Sequence, residues 1–196
     1  ELYSSFCWNL IPTISRIREA IICNNIAENS HKKFVLHLKV DTGMTRLGCD
    51  CKDVEELISK IDCLENISLG GIYSHLATAD RDLENHTQKS FTQIQLKRFE
   101  NVLKDLGKRN NLLCRHLANS AGTLSDSRLH FDMVRVGLSL YGYFPAHDFD
   151  SDLNLKPALK VKARVTLVRN VEKGIGVGYG HFFKTQRKSK LAVVAI

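Results

Sequence analysis

Proline is scarce in this chain, 3 residues in 196 against 12 glycines. That excludes a collagen-like or proline-rich low-complexity character, and 43% hydrophobic with 25% charged residues is the composition of a folded globular protein. Long apolar runs are missing too. The longest uncharged stretches, 2–15 and 66–79, are shorter than the roughly 18 apolar residues a spanning helix needs, and both carry polar side chains, so no membrane span is expected. No basic start precedes an apolar run, which removes the pattern of a secretory signal and makes the cytoplasm the expected location. No CxxC occurs among Cys7, Cys23, Cys49, Cys51, Cys63 and Cys114. Reduced, mostly buried thiols are expected rather than a disulfide frame. Cys49-Asp50-Cys51 offers two soft ligands where zinc takes four, so no metal is expected. The net charge of +7 permits attraction to phosphates but is spread along the chain. Its densest run, KTQRKSK at 184–190, lacks the interleaved aromatics that stack on bases, and reads as a solvated loop. No nucleic-acid partner is expected.

What is present is alternation. Residues 16–29 mix apolar and charged side chains at helical spacing, and FVLHLKV at 34–40 is a short β-rich run ending at Asp-Thr-Gly. Val54, Leu57, Ile58 and Ile61 form the stripe of an amphipathic helix. A strand is predicted over 67–76, where Gly70-Gly71 suggests close backbone approach. A helix is predicted from about Lys89 to Leu106, stopped by Gly107, with Phe99, Val102, Leu103 and Leu106 on one face. Strands are predicted again over 112–117 and 131–140. Such alternation means parallel β/α units. Beyond Pro145 the runs 158–171 and 191–196 are β-rich with no helical stripe between them. The alternation is that of an α/β domain, and a separate β-domain is expected after it, with the boundary in 147–155. A parallel sheet of so few strands leaves open edges, the first residue is not Met and the last run stops midway, so the chain is expected to be a segment of a longer protein.

Polar residues recur where the predicted strands end: Asp41 and Arg46 after the first, His75 after the second, Asn119 and Ser120 after the third, Arg135 and Gly137 in the fourth. In β/α barrels that rim carries the active site. Each is ordinary turn or structural chemistry when alone; their coincidence at one end is the signal. Ser120 with Gly137-Leu138 also fits the recurring barrel phosphate site, built on loops after late strands, and implies a phosphorylated ligand.

Five ordered strings carry a resemblance: HLKVDTGMTRLG (37–48), GGIYSHLATAD (70–80), HLANSAGTL (116–124), VRVGLSLYGYFP (134–145) and VGYGHFF (177–183). In order and spacing they are similar to the bacterial alanine racemases. The resemblance implies an α/β fold in which 1–150 is the later half of a (β/α)8 TIM-type barrel and 151–196 the start of a C-terminal β-domain. It also implies a fold-type III pyridoxal 5'-phosphate enzyme that works as a homodimer, interconverts L- and D-alanine by two bases, and supplies D-alanine for peptidoglycan. By the same resemblance Tyr179 is one base, acting across the dimer interface, and Arg46 lies beside the cofactor's phenolic oxygen and the substrate carboxylate. Arg135 pairs with the pyridine nitrogen, His75 holds that arginine, and Asn119 is a polar contact. Ser120, Gly137 and Leu138 are phosphate ligands, and Lys39 matches a lysine that is carbamylated in many members. Two departures stand out. The family's Schiff-base lysine has no match in these residues, so the segment alone is expected to be inactive. Thr45 also stands where glycine is frequent.

Three alternatives stay open on the sequence: a broader amino-acid racemase or a fold-type III decarboxylase, a non-catalytic pyridoxal-phosphate-binding module of the barrel-only type, and a nucleic-acid binder driven by charge. The Tyr179-bearing tail has no use in the barrel-only module. Carbon dioxide release separates the decarboxylase, and salt-dependent retention on DNA separates the binder.

Overall fold

The computed structural model describes residues 1–82, 90–146, 149 and 153–196. It divides into two compact units, Glu1–Lys156 and Pro157–Ile196. The expected boundary between residues 150 and 151 lies outside the described residues.

The first unit opens with α1 (Leu2–Cys7), β1 (Thr13–Ile14), α2 (Ile17–Asn29) and β2 (Phe34–Asp41). β3 (Cys49–Asp50), α3 (Val54–Asp62), β4 (Ile67–Tyr73), α4 (Phe91–Asp105), β5 (Cys114–His116) and α5 (Ser120–Ser125) follow. The sheet is parallel in the order β1-β2-β4-β5, with β3 paired to β2. Strand periodicity sorts β2 into two faces. Leu36, Leu38 and Val40 are buried in the core with the stripes of α2 (Ala20, Cys23, Ala27), α3 (Val54, Leu57, Ile58, Ile61) and α4 (Leu96, Phe99, Val102, Leu103). His37, Lys39 and Asp41 lie on the opposite face. The α3 stripe is the one the spacing predicts. The described part of α4 begins at Phe91, capped by Ser90 Oγ, which accepts from Gln93 N at 3.3 Å; Lys89, its expected start, lies outside the described residues.

The structure corrects two expectations. Residues 131–140 are not a strand; one parallel bridge, His116 to Met133, joins them to β5. Arg115 N, free to pair with a neighbouring strand, donates instead to Asp132 Oδ2 at 2.8 Å. Gly137, at φ −109° and ψ −83°, then leaves the extended conformation for a 3-10 turn over Leu138–Tyr141. The thiols are also less buried than expected. All six are free, with Cys23 and Cys49 buried, Cys51 and Cys114 half-buried, and Cys7 and Cys63 exposed. Cys7 and Cys63 sit at the C-terminal ends of α1 and α3, off any core-facing stripe. Burial pushes the Cys23 thiol up to about 11 and Cys49 up to about 12, so both are protonated packing groups.

Gln95, fully buried on α4, ties two rim loops together. Its Nε2 donates to Thr42 Oγ1 at 3.2 Å and to His75 O at 2.9 Å, while its Oε1 accepts from Ala77 N at 2.8 Å. Gln95→Leu leaves Ala77 N and His75 O unpaired and should destabilise the full-length protein by about 2–4 kcal/mol. Chemical denaturation with an unchanged midpoint would refute this clamp.

The second unit holds β6 (Arg164–Val171), β7 (Gly176–Val177), β8 (Phe183–Lys184) and β9 (Ser189–Ala195). β6 pairs antiparallel with β9, and β7 with β8. Thr185 is buried where the strands meet; its Oγ1 donates to Glu172 O at 2.7 Å and accepts from Ile175 N at 3.0 Å. The basic run 184–190 therefore includes one buried threonine and two strand ends around an exposed turn. Among the described residues no helix is long and apolar enough to cross a membrane.

Candidate active site

The polar face of β2 and the ends of β4 and β5 converge on one guanidinium. Arg135 lies after β5 on the irregular segment, fixed there because its backbone N donates to Ala118 O at 3.0 Å. Its Nη1 reaches His116 Nδ1 at 2.6 Å, and its Nη2 donates to Ser74 O at 2.7 Å and Leu117 O at 3.3 Å. The guanidinium carbon stands 4.8 Å from the centre of the Tyr73 ring, which stacks on His116 at 4.4 Å. Tyr73 is itself anchored, its hydroxyl 2.9 Å from Thr13 Oγ1. Burial lowers the Arg135 pKa, yet arginine keeps its proton in proteins.

His75, the expected partner of Arg135, is the more distant one: its Nδ1 lies 3.4 Å from Nη2. His116 is the close one, and the sequence reading passed over it although it opens the string HLANSAGTL. The signal was there, since His116 ends β5 as His75 follows β4. Burial and the nearby Arg135 push His116 down to about 3, and burial with Arg135, Lys39 and Arg46 pushes His75 down to about 4. Both imidazoles are neutral at physiological pH.

Lys39 is buried on β2, its Nζ 5.6 Å from the centre of the Tyr73 ring. Burial, Arg46 and Arg135 pull its pKa down, against the opposing pull of Asp41. Arg46 is exposed in the loop after β2. Asp41 folds that loop: its Oδ1 accepts from Gly43 N at 2.8 Å and Thr45 N at 3.1 Å. Thr45 adopts φ +53°, the left-handed region that a β-branched residue enters at a cost of roughly 1–2 kcal/mol. The departure from glycine there carries strain. A cluster of cations around neutral imidazoles suits an anionic ligand, because an anion supplies the charge compensation that the imidazoles cannot.

The expected phosphate residues come together as well. Ser120 Oγ accepts from Gly137 N at 3.0 Å and Ser139 N at 3.3 Å, which turns both amides toward one point. Ser139 Oγ is buried with no hydrogen-bond partner among the described residues, and a Cβ added at Gly137 would meet no atom within 4 Å. The orphaned Ser139 hydroxyl, the Ser120 hydroxyl, which accepts from both amides and keeps its own hydrogen to donate, and the room beside the glycine fit a phosphate. Sequence reasoning missed Ser139, two residues beyond Gly137. Leu138 is half-exposed and begins the 3-10 turn. Asn119 is the N-cap of α5: its Oδ1 accepts from Gly122 N at 3.0 Å, and its Nδ2 donates to Leu76 O at 3.2 Å.

Tyr179 belongs to the second unit, fully exposed on the turn between β7 and β8. Gly178 at φ +71° and Gly180 at φ +69° make that turn, which L side chains rarely adopt. No group of three or more His, Cys, Asp or Glu side chains able to hold a metal occurs among the described residues.

Residues 3–145 match the family model "Alanine racemase, N-terminal domain", and 158–196 match "Alanine racemase, C-terminal domain". An alanine racemase of Prochlorococcus marinus is 57% identical over the whole chain, which spans 50% of that relative. The alanine racemase structure from D-cycloserine-producing Streptomyces lavendulae shares 29% identity with a TM-score of 0.81, over 97% of this chain and 50% of that one. The structure from Bartonella henselae, with covalently bound pyridoxal phosphate, shares 34% identity with a TM-score of 0.70, over 95% of this chain and 49% of that one. The chain thus spans about half the length of the relatives it matches. Its fold is that of the later barrel half with the beginning of the β-domain, and with both domain models matched in order this chain belongs to the alanine racemase family.

Proposed function

We propose that the longer protein containing these residues is an alanine racemase, a pyridoxal 5'-phosphate enzyme that interconverts L- and D-alanine as a homodimer in the cytoplasm and so supplies D-alanine for peptidoglycan. The observation that carries this reading is Arg135, a guanidinium held by imidazole and carbonyl acceptors beside the serine and amide cluster. Pyridoxal phosphate, when bound, supplies an electron sink for the Cα substituents of an amino acid. Ser120, Ser139 and the Gly137-Leu138 segment would hold its phosphate, and Asn119 would border the site. Arg135 would donate to the pyridine nitrogen. Because arginine has no acceptor and keeps its proton, Arg135 would act there only as a donor.

Arg46 would pair with the substrate carboxylate through its planar fork. Tyr179 would take or return the Cα proton on one face from the partner subunit, and a lysine outside residues 1–196 would serve the other. His75 and His116 would keep Arg135 in place. Lys39, with its lowered pKa, would add carbon dioxide: the amine nitrogen forms the N–C bond, a proton leaves to solvent, and the carbamate anion steadies Arg46. Labelling the full-length protein with 13C-bicarbonate should then give a carbamate carbonyl resonance that Lys39→Met removes. Its absence in the unsubstituted protein would refute the modification.

The function itself is tested by incubating the full-length protein with L-alanine in deuterated water. Deuterium at Cα with formation of D-alanine is the expected result, and a pyridoxyl-lysine after borohydride reduction should map outside residues 1–196. Release of carbon dioxide without racemisation would replace the reading with a decarboxylase.

A further inference from the structure

One polar residue on the site face of the sheet has no role in the reading above: His37 of β2. Its Nδ1 lies 3.0 Å from His116 Nε2, although the two histidines stand on strands separated by β4. The residue of β4 between them is Gly71, in register with His37 on one side and Cys114 on the other. A Cβ at Gly71 would come within 2.6 Å of the His37 ring and 2.8 Å of Cys114 O. The glycine is therefore the gap through which the imidazole of β2 crosses to reach β5. A register shift between Leu36 and His37 sets that alignment.

The proton positions along this line follow from donor chemistry. Arg135 Nη1 is a donor only, so His116 Nδ1, 2.6 Å away, must accept. A neutral imidazole has one N–H, which then sits on His116 Nε2 and donates to His37 Nδ1. His37 in turn carries its proton on Nε2. We infer that His37 is a positioning residue: by accepting from His116 Nε2–H it holds His116 in the one tautomer that can receive Arg135, and so fixes the guanidinium. Burial lowers the pKa of His37 as it does that of His116, in keeping with two neutral rings. Without an acceptor at position 37, the Nε2–H of a buried His116 loses its partner, and the competing Nδ1–H tautomer would turn a donor toward Arg135.

The kinetic part of this inference rests on the racemase reading; the tautomer part does not. Long-range 15N–1H spectra of histidine-labelled full-length protein distinguish Nδ1–H, Nε2–H and imidazolium forms, with or without cofactor. In the unsubstituted protein His116 should be the Nε2–H tautomer at neutral pH; an Nδ1–H or imidazolium His116 overturns the inference. In His37→Leu, His116 should populate the Nδ1–H form, and kcat for alanine should fall about tenfold with KM unchanged. His37→Gln, whose Oε1 can accept, should restore the Nε2–H form and most of kcat. If His37→Leu leaves both the His116 tautomer and kcat as they were, His37 is packing only. If the tautomer shifts as stated in a protein that does not racemise alanine, the functional reading fails and the relay stands.

Discussion

Tyr179→Phe in the full-length protein should lower alanine racemisation by about a hundredfold to ten-thousandfold, the range typical of removing one general acid–base group. Deuterium wash-in from solvent should fall selectively for one enantiomer. The substitution removes a single hydroxyl from a side chain that is fully exposed on its turn and makes no hydrogen bond among the described residues. Stability should therefore change by no more than roughly 0.5 kcal/mol. Absorbance of the bound pyridoxal phosphate should be retained too, because each residue of this chain proposed to hold the cofactor lies in the first unit. Full turnover in the variant would remove Tyr179 from the chemistry and with it the two-base reading.

Arg135→Leu should have the second large effect, and in this case on structure as well as on turnover. The guanidinium is the donor for Ser74 O, Leu117 O and His116 Nδ1, and leucine offers none. Leaving buried acceptors unpaired costs about 1–3 kcal/mol each, partly offset because a half-buried cation is removed as well. A net loss of about 2–4 kcal/mol is expected in chemical denaturation of the full-length protein. Racemisation should fall about a hundredfold or more, since the charge-assisted donor proposed for the cofactor ring is lost. Arg135→Lys separates the two effects. The ammonium restores one charged donor but not the fork that reaches His116 and Ser74 together, so stability should recover more than turnover. Wild-type turnover in Arg135→Leu would refute the placement of this residue at the pyridine nitrogen.

Much of the first unit was legible because its signals are local. The Val54, Leu57, Ile58, Ile61 stripe is a helix with those residues buried, and the Gly70-Gly71 pair does mark a close approach, though mostly of the Val35 and His37 side chains, with Cys114 O beside Gly71 the backbone atom. The strand expected over 131–140 failed for a non-local reason. Its apolar pattern suits extended chain, but the Asp132 carboxylate competes for Arg115 N and Ser120 Oγ competes for Gly137 N. Those partners come from other parts of the sequence, and no window of neighbouring residues contains them. Burial of the cysteines was misjudged similarly, since Cys63 ends its helix just outside the stripe.

The sequence by itself determined which residues are candidates for the chemistry, because motif strings keep their order along the chain: Lys39, Arg46, His75, Asn119, Ser120, Arg135, Gly137, Leu138 and Tyr179 are all named from it. It also determined the order of helices and strands wherever periodicity was strong. Only the tertiary structure decided which side chains touch. It made His116, rather than His75, the near partner of Arg135, set Ser139 beside Ser120, and laid His37 across Gly71. The reason is physical: hydrogen-bond partners two strands apart are chosen by sheet register and by where a glycine leaves room, and both are properties of the packed sheet.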